Sequence, residues 1–130
     1  MKSRLLALGV MVAAGLVGAS PIFAHHAWSG YDMGNMTTVK GTITNFDWAN
    51  PHVWMSLEVK DDHGNVQHWD AGGPSPSRMQ GTGWSKDTLK PGDQITAVGH
   101  KIKDGTNKLR LDKVVLSNGR SLVCYATPGA

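Results

Sequence analysis

The chain has 130 residues, 40% of them hydrophobic, with 13 Lys and Arg against 10 Asp and Glu and a formal net charge of +3. That length suits one small domain. The basic excess is too slight to argue for nucleic acid or an anionic membrane as a partner, because two of the basic residues, Lys2 and Arg4, sit in a segment that does not read as part of a fold.

That segment is residues 1–24. A positive start is followed by an almost wholly apolar run from Leu5 to Val17, and then by small residues ending in Phe23-Ala24. The pattern is that of a secretory signal peptide. Its apolar run is about a dozen residues, short of the roughly twenty needed to span a bilayer as a helix, so cleavage is expected over an uncleaved anchor. The mature protein is then expected to be soluble and periplasmic, without a transmembrane segment. Losing Lys2 and Arg4 leaves 11 basic residues against 10 acids, a charge of +1.

Residues 25–36 are rich in Gly, His and Met, show no sustained period, and read as an N-terminal arm. Strand signals begin at Thr37. Val39, Gly41 and Ile43 alternate, and the apolar set then slips to Phe46 and Trp48, which predicts a bulge or bend. Ala49-Asn50-Pro51 breaks the run. Val53, Met55, Leu57 and Val59 then alternate with polar neighbours as in a half-buried strand. Asp61 to Asn65 has the residue types of a hairpin turn, with a returning strand over 66–71. Ser75-Pro76 predicts the start of a short helix, ended by Gly81 and Gly83. Strands follow over 94–100 and 108–116, with a last short one over 121–124. Five principal strands with one helix between the third and fourth predict a mainly β, five-stranded OB-like barrel over 37–125, with a C-terminal tail over 126–130. An open β-sandwich is the alternative.

The single cysteine, Cys124, cannot form an internal bridge, and its apolar surroundings predict a buried, inert thiol. A bridge between chains or a soft metal ligand are the alternatives. Asp61 to Asn65 lacks the glycine and distal glutamate of a calcium loop, and Gly81 to Trp84 follows a helix rather than a strand, so it is no phosphate loop. No nucleophile elbow occurs, and the sequence gives no argument for an enzyme.

The candidate chemistry lies in histidines and tryptophans. If the peptidase cuts after Ala24, His25 gains a free α-amine and chelates through that amine and its ring, and His26 follows at once. Nitrogen-rich, tetragonal sites suit Cu(II). A pair that merely follows the cleavage site and stays solvated is the plainer alternative. Met33 and Met36 add two thioethers, which favour Cu(I) or simply fill gaps in packing. Pro51 stiffens the corner that presents His52. His68 falls on the third strand, where it could approach His52; His63, in a turn, and His100, at a strand end, are expected to face solvent. Of the five tryptophans most are expected in the core. Trp54 alternates out of phase with Met55 and Leu57, so it faces outward as a partner contact unless the arm covers it.

Several blocks carry a family resemblance. His25-His26 with Asp32, Gly41-Thr42-Ile43, Phe46-Asp47-Trp48-Ala49-Asn50-Pro51-His52, Ser75-Pro76, Gly83-Trp84, Leu89-Lys90-Pro91-Gly92-Asp93 and Val98-Gly99-His100 resemble the small exported bacterial proteins of domain of unknown function 6152. The resemblance spans nearly the whole mature chain. It implies a periplasmic, single-domain, OB-like β fold and no established activity. His25, His26 and His52 match family positions; Met33 and Met36 do not.

Two functions follow as expectations. The first is a binding module holding a transition metal, copper before others, through His25, His26 and His52. The second is an envelope accessory module that holds an exported protein, peptide or glycan through Trp48, Asn50 and Trp54. Neither requires catalysis.

Overall fold

A computed structural model of the chain describes residues 28–126. The expected signal peptide, His25, His26 and residues 127–130 of the expected tail lie outside the described residues.

The strands are β1 (Thr37–Asp47), β2 (Trp54–Lys60), β3 (Val66–Gly72), β4 (Gln94–Lys101), β5 (Lys108–Leu116) and a three-residue β6 (Ser121–Val123), with α1 (Pro76–Gln80) between β3 and β4. The sheet runs β3-β2-β1-β4-β5-β6, and a parallel pairing of β3 with β5 closes five strands into a barrel. The mainly β fold with one short helix, expected from alternation and turn chemistry, is therefore present. Closure removes most free strand edges, and β6 pairs with the far half of β5, opposite Lys113 to Val115.

β1 makes closure possible by serving two neighbours. Its first half pairs with β4 from Thr37↔Gly99 to Thr42↔Gln94, and its second half pairs with β2 from Thr42↔Glu58 to Asp47↔Trp54. Gly41 sits at the changeover, where a Cβ would lie 2.6 Å from the carbonyl oxygen of Glu58, so only glycine lets the strands approach this closely. The expected slip is a bulge between Ile43 and Asn45. A second bulge interrupts β4–β5. Val98 pairs with Lys113 but Gly99 with Leu111, which leaves Asp112 as the extra residue.

The inward faces supply one core of Ile43, Met55, Leu57, Leu109, Leu111 and Val114 with Trp69 and Trp84, and Met79 of α1 plugs it. Ser75 is the N-cap of that helix, as expected, although its hydroxyl makes no capping bond to the helix backbone. Trp84 donates its indole N–H to the Val123 carbonyl at 2.9 Å and so ties down β6. Cys124 is buried, and desolvation, with Asp112 adding to it and Arg110 opposing, pushes its thiol up to about 12. The expectation of a buried thiol holds.

Candidate functional site

The arm does not hang free. Tyr31 bridges to Ile102, Asp32 N–H donates to the Lys101 carbonyl at 2.8 Å, and Lys103 N–H donates to the Gly30 carbonyl at 2.9 Å. The arm thus extends the end of the β4–β5 hairpin. This path brings Trp28 across the start of β2, where its ring lies 5.0 Å from that of His52, 6.2 Å from Trp54 and 5.2 Å from Tyr31, the last edge-on. These separations suit tilted aromatic packing. Tyr31 is buried, and its phenol is raised by desolvation first and then by the carboxylates of Asp104 and Asp70.

His52 is held from the other side. The Asn50–Pro51 peptide is cis, and the chain after it runs beside residues 73–74: Val53 N–H donates to the Pro74 carbonyl and Gly73 N–H to the Val53 carbonyl. His52 Nδ1 lies 3.2 Å from the Gly73 carbonyl oxygen. A carbonyl only accepts, so Nδ1 carries the hydrogen and the neutral ring keeps its lone pair at Nε2. An imidazole oriented this way, by Nδ1–H on a backbone carbonyl, is the arrangement that prepares Nε2 as a metal ligand.

Trp54 faces outward, as its phase in β2 predicts, and lies flat over β3. A Cβ on Gly72 would sit 2.8 Å from its ring, so glycine is what allows this close seat. The Lys108 ammonium stands 5.7 Å from the ring centroid, a weak cation–π contact. Next along the same face, Ser56 donates its hydroxyl to Asp70 at 2.8 Å. The arm covers part of Trp54 through Trp28, and the residue is half-buried.

The remaining candidates scatter. Trp48 packs with Phe46, which in turn meets Trp84, on a separate aromatic group from Trp54; Asn50 is exposed between the two. His68 lies opposite Glu58, well along β2 from His52, and His63 is exposed in its turn. His100 departs from expectation. It is only 7% exposed, because the arm folds over the end of β4 and caps it. Met33 and Met36 are 51% and 55% exposed, so packing does not explain them. A groove of about 400 Å³ opens toward the opposite end of β2, between Lys40, Glu58 and Lys60, and contains none of the expected site residues. Among the described residues, no group of three or more His, Cys, Asp or Glu is placed to hold a metal.

The fold and the corner together define a small closed OB-like barrel whose N-terminal arm is seated beside an oriented histidine. The chain belongs to a family of unknown function, DUF6152, whose match covers residues 14–110 and so includes the arm, the corner and the barrel up to the first residues of β5. No curated protein matches the chain. Among the described residues no helix is long and apolar enough to cross a membrane.

The residues that sequence reasoning missed are Tyr31, Gly72, Gly73 and Lys108. Gly73 contributes a carbonyl, which no side-chain pattern reveals. A signal for Gly72 was present in a glycine that ends a strand paired with a tryptophan.

Proposed function

We propose that the chain is an exported, periplasmic binding module that captures a transition-metal ion, Cu(II) before others, where the arm meets the barrel. One observation carries the reading: Trp28 is seated on His52, whose Nδ1–H on the Gly73 carbonyl puts the lone pair of the neutral ring at Nε2. His26 is two residues from Trp28, and two residues span at most about 7 Å, a separation that supports His26 as a partner of His52. A peptidase cut after Ala24 would make His25 the first residue. Its α-amine and ring nitrogen, with His26 and His52, form a nitrogen-rich donor set of the kind Cu(II) prefers. Bound copper would be held rather than turned over, and the role proposed is binding, not catalysis.

The test is the intact mass of protein matured in the periplasm, with and without one equivalent of Cu(II). The reading expects a chain beginning at His25 that keeps one copper through desalting, and an H52A variant that loses it. A chain that retains residues 1–24, or wild-type protein that keeps no metal, overturns it.

A second reading is favoured by Trp54. A half-buried ring packed on Gly72, with Lys108 over it and Ser56 and Asp70 next along the face, is a rigid aromatic platform for an exported protein, a peptide or a glycan. Under that reading W54A abolishes partner capture while H52A leaves it intact.

A further inference from the structure

Besides its backbone bonds to β4 and the loop after it, the arm is held by one buried histidine. His100 Nδ1 lies 3.0 Å from the carbonyl oxygen of Asp32 and 2.8 Å from that of Asn35, both in the arm. On the other side of the ring, Nε2 lies 3.0 Å from Oδ2 of Asp112. Asp112 is the bulged residue of β5, and the bulge is what turns its carboxylate toward β4. Its other oxygen accepts from Arg110, whose guanidinium stacks 4.1 Å over the Tyr125 ring.

Every partner of the ring is an acceptor: two carbonyl oxygens at one nitrogen and a carboxylate at the other. A neutral imidazole has one N–H, so it can satisfy one side only and turns a lone pair toward oxygen on the other. The imidazolium satisfies both. The charged group in contact with the ring is Asp112 of β5, whose carboxylate Arg110 also bonds; the Asp32 carboxylate of the arm accepts exposed hydrogen bonds from Gly34 and Asn35 instead. A positive ring therefore meets one carboxylate, which it shares with a guanidinium, and two backbone carbonyls.

We propose that His100 is a proton-operated latch that fastens the N-terminal arm to the barrel when its ring holds both protons and releases it when the Nδ1 proton is lost. The remaining proton stays at Nε2, on the stronger acceptor, the Asp112 carboxylate. The inference rests on described contacts alone and stands whether or not copper binds. It would make presentation of the arm, and of any ligand the arm carries, stronger in acid than in mild alkali.

The test uses metal-free protein. Hydrogen exchange at the Asp32 and Lys103 amides reports the docked arm, with the Ile43 amide as the barrel reference, while the ring nitrogens of His100 are followed by NMR between about pH 5 and pH 8, where imidazoles change charge. After correction for intrinsic exchange, protection of the two arm amides relative to Ile43 should fall about tenfold as the ring loses its proton, the scale of one hydrogen bond. In D112N, which removes the negative partner, the same fall should move to lower pH. In H100Q the arm protection should be low and independent of pH. If H100Q does not fold, D112N decides. A ring that titrates while arm protection stays constant, or one that does not titrate in this range, overturns the proposal.

Discussion

His52 and His100 sit at two places along the same arm and are built in opposite ways. His52 gives Nδ1 to the Gly73 carbonyl and retains a lone pair at Nε2, beside Trp28, at the point where the described chain begins. His100 meets acceptors at both nitrogens and is buried under the turn at Asp32–Asn35. A histidine that keeps one nitrogen for a ligand can serve binding, whereas one that spends both can only hold structure or respond to protons. Residue type does not separate the two; the partners do.

The largest effect should come from breaking the ligand side. Loss of a ligand in H52A should weaken Cu(II) binding by more than the roughly 10–100-fold typical of losing an outer-shell partner. Titration followed by calorimetry checks this, and stability should fall by about 1–2 kcal/mol, the scale of the bond to Gly73 together with the ring contact to Trp28.

Breaking the structural side reverses the pattern. H100A leaves the Asp32 and Asn35 carbonyls and Asp112 short of a donor and should cost about 1–3 kcal/mol in denaturant unfolding, with a much smaller loss of copper affinity than H52A. If the two variants behave alike, the division of roles fails. Substituting Gly72 sharpens the contrast from the platform side. G72A places a Cβ against Trp54, and overpacking of this kind should cost about 1–3 kcal/mol and displace Trp54, read as a shift in tryptophan emission.

The barrel was legible in the sequence and the arm was not, for a physical reason. Strand β2 announces itself through Val53, Met55, Leu57 and Val59, because burial on one face imposes period two, and the Asp61–Asn65 turn is made locally by its own residues, with Asp61 accepting from the backbone N–H groups of His63 and Asn65. The arm has no period because it is held by backbone carbonyls and by a histidine roughly seventy positions away. Its path, and with it the burial of His100, exists only in three dimensions. The Asp112 bulge did leave a trace: Leu109 and Leu111 alternate, and the buried set then slips to Val114, as it slips after Ile43 in β1.

Smaller effects concern acid. The carboxyls of Asp32, Asp61, Asp93 and Asp104 are all held below the ordinary value of 3.8. The leading causes are hydrogen bonds from the Asn35 side chain, the Asn65 backbone, the Lys90 side chain and the Thr106 side chain respectively. Since the folded values are depressed, their contribution is complete above 3.8 and is lost as pH falls through the lowered values. Melting temperature should therefore fall in strong acid, and in D61N, which removes one such carboxyl, the fall should be slightly shallower. Smallest of all, Cys124 should stay unreactive toward thiol reagents near neutral pH until the barrel unfolds, because burial holds its thiol at about 12.

The central claim is that His52 shares a metal with the histidines at the mature N-terminus, and the most direct measurement is the EPR spectrum of copper-loaded mature protein beside that of H52A. The account predicts nitrogen hyperfine structure from several nitrogens in the wild type and a spectrum that loses one nitrogen in the variant. An unchanged H52A spectrum, or a wild-type spectrum of aqueous copper, would contradict it.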